Sequence, residues 1–198
     1  MPLVGDRTVF NRTVAGLTYS SENNDSKVSV HWREDPFELE TESEEFDYAI
    51  ISAPFSRVRM WSPMPPYSSL LRRAIDTMEY DATCKLALHY KSRFWEKGDK
   101  PIFGGCGFTD VPGAGQICYP SYALNSTGPG VVLAAFSYGR PSRSVSALKE
   151  EDYVALGQRT MIEIHGEVAR EEWTGEYERK CWAEDEHIGA GWANPAIG

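Results

Sequence analysis

Long apolar runs are missing from this 198-residue chain. No segment approaches the roughly 18 apolar residues of a membrane-spanning helix. The least interrupted stretch, Val131-Val132-Leu133-Ala134-Ala135-Phe136, suits a buried strand. Positive charge is also scarce. The 20 Lys and Arg are outnumbered by 29 Asp and Glu, which leaves a net charge of −9. Binding to a phosphate backbone needs clustered cations, so nucleic acid is not an expected partner. Lys91-Ser92-Arg93 and Arg72-Arg73 read as solvated faces. The first residues, Met-Pro-Leu-Val-Gly-Asp-Arg, lack the basic start and apolar core of a signal peptide.

Reactive side chains are few. Cys84, Cys106, Cys118 and Cys181 form no Cys-x-x-Cys pair and no zinc-site spacing, so free structural thiols are expected, with one disulfide left open. His31, His89, His165 and His187 are not spaced as metal ligands, and no metal is expected. There is no Gly-x-Ser-x-Gly elbow. The glycines at 104–107, 113–115 and 189–191 do not form a phosphate-binding fingerprint between a strand and a helix. Asn11-Arg-Thr, Asn24-Asp-Ser and Asn125-Ser-Thr are glycosylation sequons, but alone they leave the compartment open.

What is present is a 41% hydrophobic, 12% aromatic chain, enough for one large domain or two small ones. Short strands are predicted over 3–34, with Lys27–Trp32 alternating polar and apolar. The acidic stretch Glu34–Glu45 reads as a solvated loop. Phe46–Pro54 reads as a strand buried on both faces and stopped by proline. Pro63, Pro65 and Pro66 mark a linker, followed by an amphipathic helix over Tyr67–Asp76. Strands are predicted at 82–90, 102–109, 116–119, 130–138 and 177–183, with a helix or loop at 142–149. A long helix over Glu150–Val168 has Tyr153, Leu156, Thr160 and Ile164 as its core stripe. The class is α+β, with a mixed sheet.

Two features could carry chemistry. Lys85 sits in an apolar strand, either snorkelling to the surface or held where desolvation lowers its pKa. The tail Cys181-Trp182…Gly189-Ala-Gly191-Trp192 places two tryptophans around a glycine turn. Such rings can sandwich a flat ligand or a small amine, or can simply be core.

Those features, with Asn11-Arg-Thr-Val14, Phe46–Pro54, Pro63-Met-Pro65-Pro66, Arg93-Phe94-Trp95, Gly104-Gly105, Thr109-Asp110 and Tyr119-Pro120 in the same order, resemble the flavin-dependent amine oxidases, which include monoamine and L-amino-acid oxidases. The resemblance implies that Lys85 holds a water near the reactive flavin nitrogen. It implies that Tyr119 binds a substrate carboxylate, and that Trp182 and Trp192 line the substrate site. Val14, Pro54 and Gly191 would lie against the cofactor. Some relatives attach FAD covalently through a cysteine at the position of Gly191, so FAD here would be non-covalent.

The family's N-terminal glycine fingerprint and the segment after the tail motif have no counterpart in this sequence. The expected organisation is therefore partial FAD-domain strands over 3–60 and a substrate domain over 61–198. A companion chain or a homodimer would supply what is missing. Two functions follow: an FAD-dependent amine oxidase most like an L-amino-acid oxidase, or an FAD-free descendant acting as a small-molecule binder, isomerase or cyclase.

Overall fold

A computed structural model describes residues 7–22 and 25–195. The chain divides into two compact units, Met1–Met78 and Glu79–Gly198. In the first, β1 (Thr13–Glu22), β2 (Asp25–Arg33) and β3 (Glu42–Phe46) form an antiparallel sheet in sequence order. A bulge between Val14 and Gly16 opens β1 to the chain near Pro63. Ser62 N–H donates to Ala15 O at 2.8 Å, and Leu17 N–H donates to Pro63 O at 2.9 Å. Gly16 is required there, because a Cβ would collide with the Pro63 backbone. Helices α1 (Phe55–Val58) and α2 (Ser69–Thr77) follow. Ser68 caps α2 by accepting from Leu71 N–H at 3.2 Å.

Two expectations change in this unit. The acidic stretch is not all loop, since Glu42–Phe46 pairs with β2 as a fully exposed edge strand. Charged side chains suit an edge, where one row of backbone groups faces water. The segment after Phe46 is neither strand nor buried: Tyr48 is 89% and Ile50 95% exposed. Apolar composition buries a strand only when neighbours flank it on both sides. Among the described residues, no strand pairs with 47–54.

The second unit is built on a five-stranded sheet of order β6-β7-β8-β5-β9. Its strands are β5 (Thr83–Tyr90), β6 (Gly105–Phe108), β7 (Gln116–Tyr119), β8 (Gly130–Tyr138) and β9 (Trp173–Cys181). A two-stranded ladder joins β4 (Glu79–Asp81) to β10 (Trp192–Asn194). Every ladder is antiparallel, and one parallel bridge links Gly115 to Phe136. The helices are α3 (Gly139–Ser146), α4 (Glu150–His165) and α5 (Val168–Glu171). The class is α+β, as expected.

One face of this sheet carries the core. Cys84, Leu86, Leu88 and Tyr90 of β5 are fully buried, with Val132, Ala134 and Ala135 of β8. Helix α4 lies against them closely enough that a Cβ on Gly157 would come 2.5 Å from Leu86. The buried stripe of α4 is Tyr153, Val154, Gly157, Gln158, Thr160 and Met161, whereas Ile164 of the expected stripe is nearly half exposed. Polar Gln158 is tolerated because its amide is satisfied on both sides. Tyr90 Oη donates to it at 2.9 Å, and it donates to Ala169 O at 2.8 Å. The helix stops at His165 rather than Val168, because Gly166 takes φ 77° and caps it.

The cysteines also differ from expectation. All four are paired, Cys84 with Cys181 and Cys106 with Cys118. Each pair faces itself across neighbouring strands, β5 with β9 and β6 with β7. Linear spacing cannot reveal a pairing that strand register creates.

Candidate active site

The face of the five-stranded sheet opposite α4 is open. Side chains alternate along a strand, so Lys85 points away from buried Cys84 and Leu86 and is exposed. Its register partner on β8 is Phe136, and its partner on β9 is Lys180. Lys85 Nζ stands 5.0 Å from the Phe136 ring centre, a cation–π distance. No ion pair to Lys85 occurs among the described residues. Of the two readings of this lysine, exposure on an open face is the one observed.

Trp192 completes the patch. Its ring lies 6.4 Å from Phe136 in an edge arrangement and 5.8 Å from Tyr138, while Phe136 and Tyr138 are 6.0 Å apart. Trp192 is 41% exposed, so it is a wall and not core. The tail reaches this position because β10 is pinned to β4: Gly191 N–H donates to Asp81 O at 2.6 Å, and Asn194 Nδ2 donates to Asp81 Oδ2. A Cβ at Gly191 would fall 2.5 Å from Thr83 Cγ2 and 2.8 Å from Asp81 O. Glycine is therefore what lets the tail seat Trp192.

Trp182 begins a 3-10 turn after β9, with Lys180 Nζ 5.1 Å from its ring. Lys180 also donates to Asp185 Oδ2 at 2.7 Å. That bond, with the His187 and Ile188 amides on Oδ1, holds the Asp185 carboxyl below its ordinary range. Asp185 thereby engages Lys180 and shapes the turn leading to Gly189.

Tyr119 is placed elsewhere. With Ile117 it faces the helix-covered side of the sheet, where it packs on the core. Its hydroxyl shares a 2.6 Å hydrogen bond with His165 Nε2 at the end of α4. Burial raises Tyr119 to about 12 and lowers His165, favouring the neutral form of each. In the first unit, half-buried Val14 pairs with Trp32. Pro54 caps α1 there, its carbonyl accepting from Arg57 N–H at 2.9 Å and Val58 N–H at 3.1 Å. Lys85 and Trp192 thus each border Phe136, and Gly191 precedes Trp192 against Thr83 and Asp81. It adds Phe136, Tyr138 and Lys180, which sequence reasoning missed. The i, i+2 aromatic pair in β8 was visible, but only strand register puts it beside Lys85.

Residues 2–198 match the family described as flavin containing amine oxidoreductase. The chain belongs to that family. It is 42% identical over 205 residues to an L-amino-acid oxidase of Neurospora crassa, covering 100% of this chain and 29% of that protein. An L-amino-acid oxidase of Siganus canaliculatus is 33% identical over 122 residues, which is 61% of this chain and 22% of the relative. A wild-type putrescine oxidase structure bound to putrescine superposes with a TM-score of 0.69 at 15% identity, covering 96% of this chain and 38% of that one. This chain therefore spans under a third of the length of these L-amino-acid oxidases.

Proposed function

We propose that this chain provides the substrate-facing part of an FAD-dependent L-amino-acid oxidase. The observation carrying the proposal is the open patch of Lys85, Phe136, Tyr138 and Trp192. The patch would suit a flat cofactor ring, since it offers aromatic planes and an ammonium with no ion pair among the described residues. Attachment would be non-covalent, because Gly191 has no thiol where some relatives attach FAD through cysteine. Among the described residues, no strand–glycine turn–helix unit cradles a diphosphate. FAD is proposed to gain its phosphate contacts from a companion segment, chain or homodimer partner. On this reading 3–60 contributes cofactor-domain strands, with Val14 and Pro54 against FAD, and 61–198 the substrate domain.

Bound FAD would supply the two-electron oxidation of an amino acid to its imine, with oxygen reduced to hydrogen peroxide and the released imine hydrolysed by water to a 2-oxo acid and ammonia. The residues of this chain prepare that chemistry. Lys85 Nζ positions a water and can give or take its proton. Trp192, Phe136 and Tyr138 restrict water and orient an apolar substrate side chain. Trp182, beside Lys180, lines the approach. Tyr119 as carboxylate ligand has less support, since its hydroxyl is engaged by His165 on the other face. The FAD-free binder or isomerase reading is not favoured, given the family and its oxidase relatives. Protein purified from its own cells is expected to absorb as a flavoprotein and to release peroxide with L-amino acids. Colourless, inert protein would overturn the proposal.

A further inference from the structure

We infer that Asn125 is an N-glycosylation site and that this chain matures in an oxidising secretory compartment. Asn125-Ser126-Thr127 lies in the loop between β7 and β8, with Asn125 and Thr127 both exposed. The loop is not held by a sheet ladder. It hangs on a buried ion pair: Glu96 Oε2 accepts the Asn125 backbone N–H at 2.8 Å, and Arg93 Nη2 donates to Tyr122 O at 3.0 Å. The backbone is fixed while the Asn125 side chain stays in solvent, which is what a bulky glycan requires of the folded state. Asn125 has φ 58°, a conformation asparagine accepts more readily than most residues. Asn11 is also exposed, but Arg12 of its sequon is engaged by Glu34 and Glu42, and Thr13 pairs with Arg33. Asn24 lies outside the described residues. The independent observation is that every cysteine is paired. Disulfides persist where glycan transfer takes place and are rare in the cytosol.

In the transfer, the Asn125 amide nitrogen bonds to the anomeric carbon of a lipid-diphosphate-linked oligosaccharide. The bond from that carbon to the diphosphate oxygen breaks, the lipid diphosphate leaves with the electron pair, and the amide loses one proton. The test is peptide mass spectrometry of the protein purified from its own cells, with and without peptide-N-glycosidase. The expected result is a glycan on the Asn125 peptide that the enzyme removes, leaving Asp at 125. In a secreting eukaryotic host, Thr127→Ala is expected to abolish that glycan and Thr127→Ser to retain it. Transfer precedes folding, so both variants are read on the total chain, retained and secreted. An unmodified Asn125 peptide in the native protein, or a glycan only at Asn11, would overturn the inference.

Discussion

Arg93 and Glu96 are ionised side chains only 3% exposed. The Arg93 guanidinium and the Asn125 amide hold the Glu96 carboxyl below its ordinary 4.5. Removing one partner strands the other, which costs about 3–5 kcal/mol. Arg93→Met is therefore expected to lower stability by that order in urea titrations. The pH dependence follows from the sign. A carboxyl depressed in the folded state contributes stability above its unfolded pKa and loses it as pH falls through the lower folded value. The stability gap between the parent and Glu96→Gln should be widest above about pH 5 and close in stronger acid. At Gly191, an alanine must push Thr83 or the Asp81 carbonyl aside, at about 1–3 kcal/mol. Gly191→Ala is expected to displace Trp192 and change tryptophan emission, and unchanged emission would contradict the pinned tail. Lys85 and Trp192 stood out in the sequence, one as a charge in an apolar strand and the other by its glycine turn. Phe136 and Lys180 did not, because partnership across a sheet is set by register.

Among the described residues, strand β9 is an edge strand that pairs with β5 alone, and most of its side chains are exposed. The Cys84–Cys181 bridge staples it one residue away from both Lys85 and Trp182. The bridge spans 97 residues and the Cys106–Cys118 bridge spans 12. Chain-entropy arguments assign about 4–5 kcal/mol to the long loop and about 3 to the short one. Cys84→Ala/Cys181→Ala is therefore expected to lower stability more than Cys106→Ala/Cys118→Ala, and to raise hydrogen exchange selectively in β9. The reverse order would contradict this account. At this scale the sequence was legible where elements carry their own pattern. The strand at 130–138 follows from its apolar run and the acidic start of α4 from helix electrostatics. Segment 46–54 was misread because burial on both faces is a property of neighbours.

In the first unit, Phe37, Leu39, Tyr48 and Ile50 are each about nine-tenths exposed. Apolar side chains mark a binding surface where they form one contiguous patch. The 198-residue chain produced alone is expected to bind an apolar dye and to self-associate as concentration rises. A dye-silent monomer would contradict an apolar interaction surface there. At the same scale, the family and α+β class were legible from ordered motifs spread along the chain, none specific by itself. The position of Tyr119 was not, since a motif gives no facing.

The central claim is that Lys85 and the aromatic wall at Trp192 serve one reaction. Peroxide release and flavin content of Lys85→Met in the complete flavoprotein test it most directly. The account expects flavin retained and turnover on L-amino acids reduced by about 10²–10⁴-fold. Turnover equal to the parent, with flavin equally bound, would contradict it.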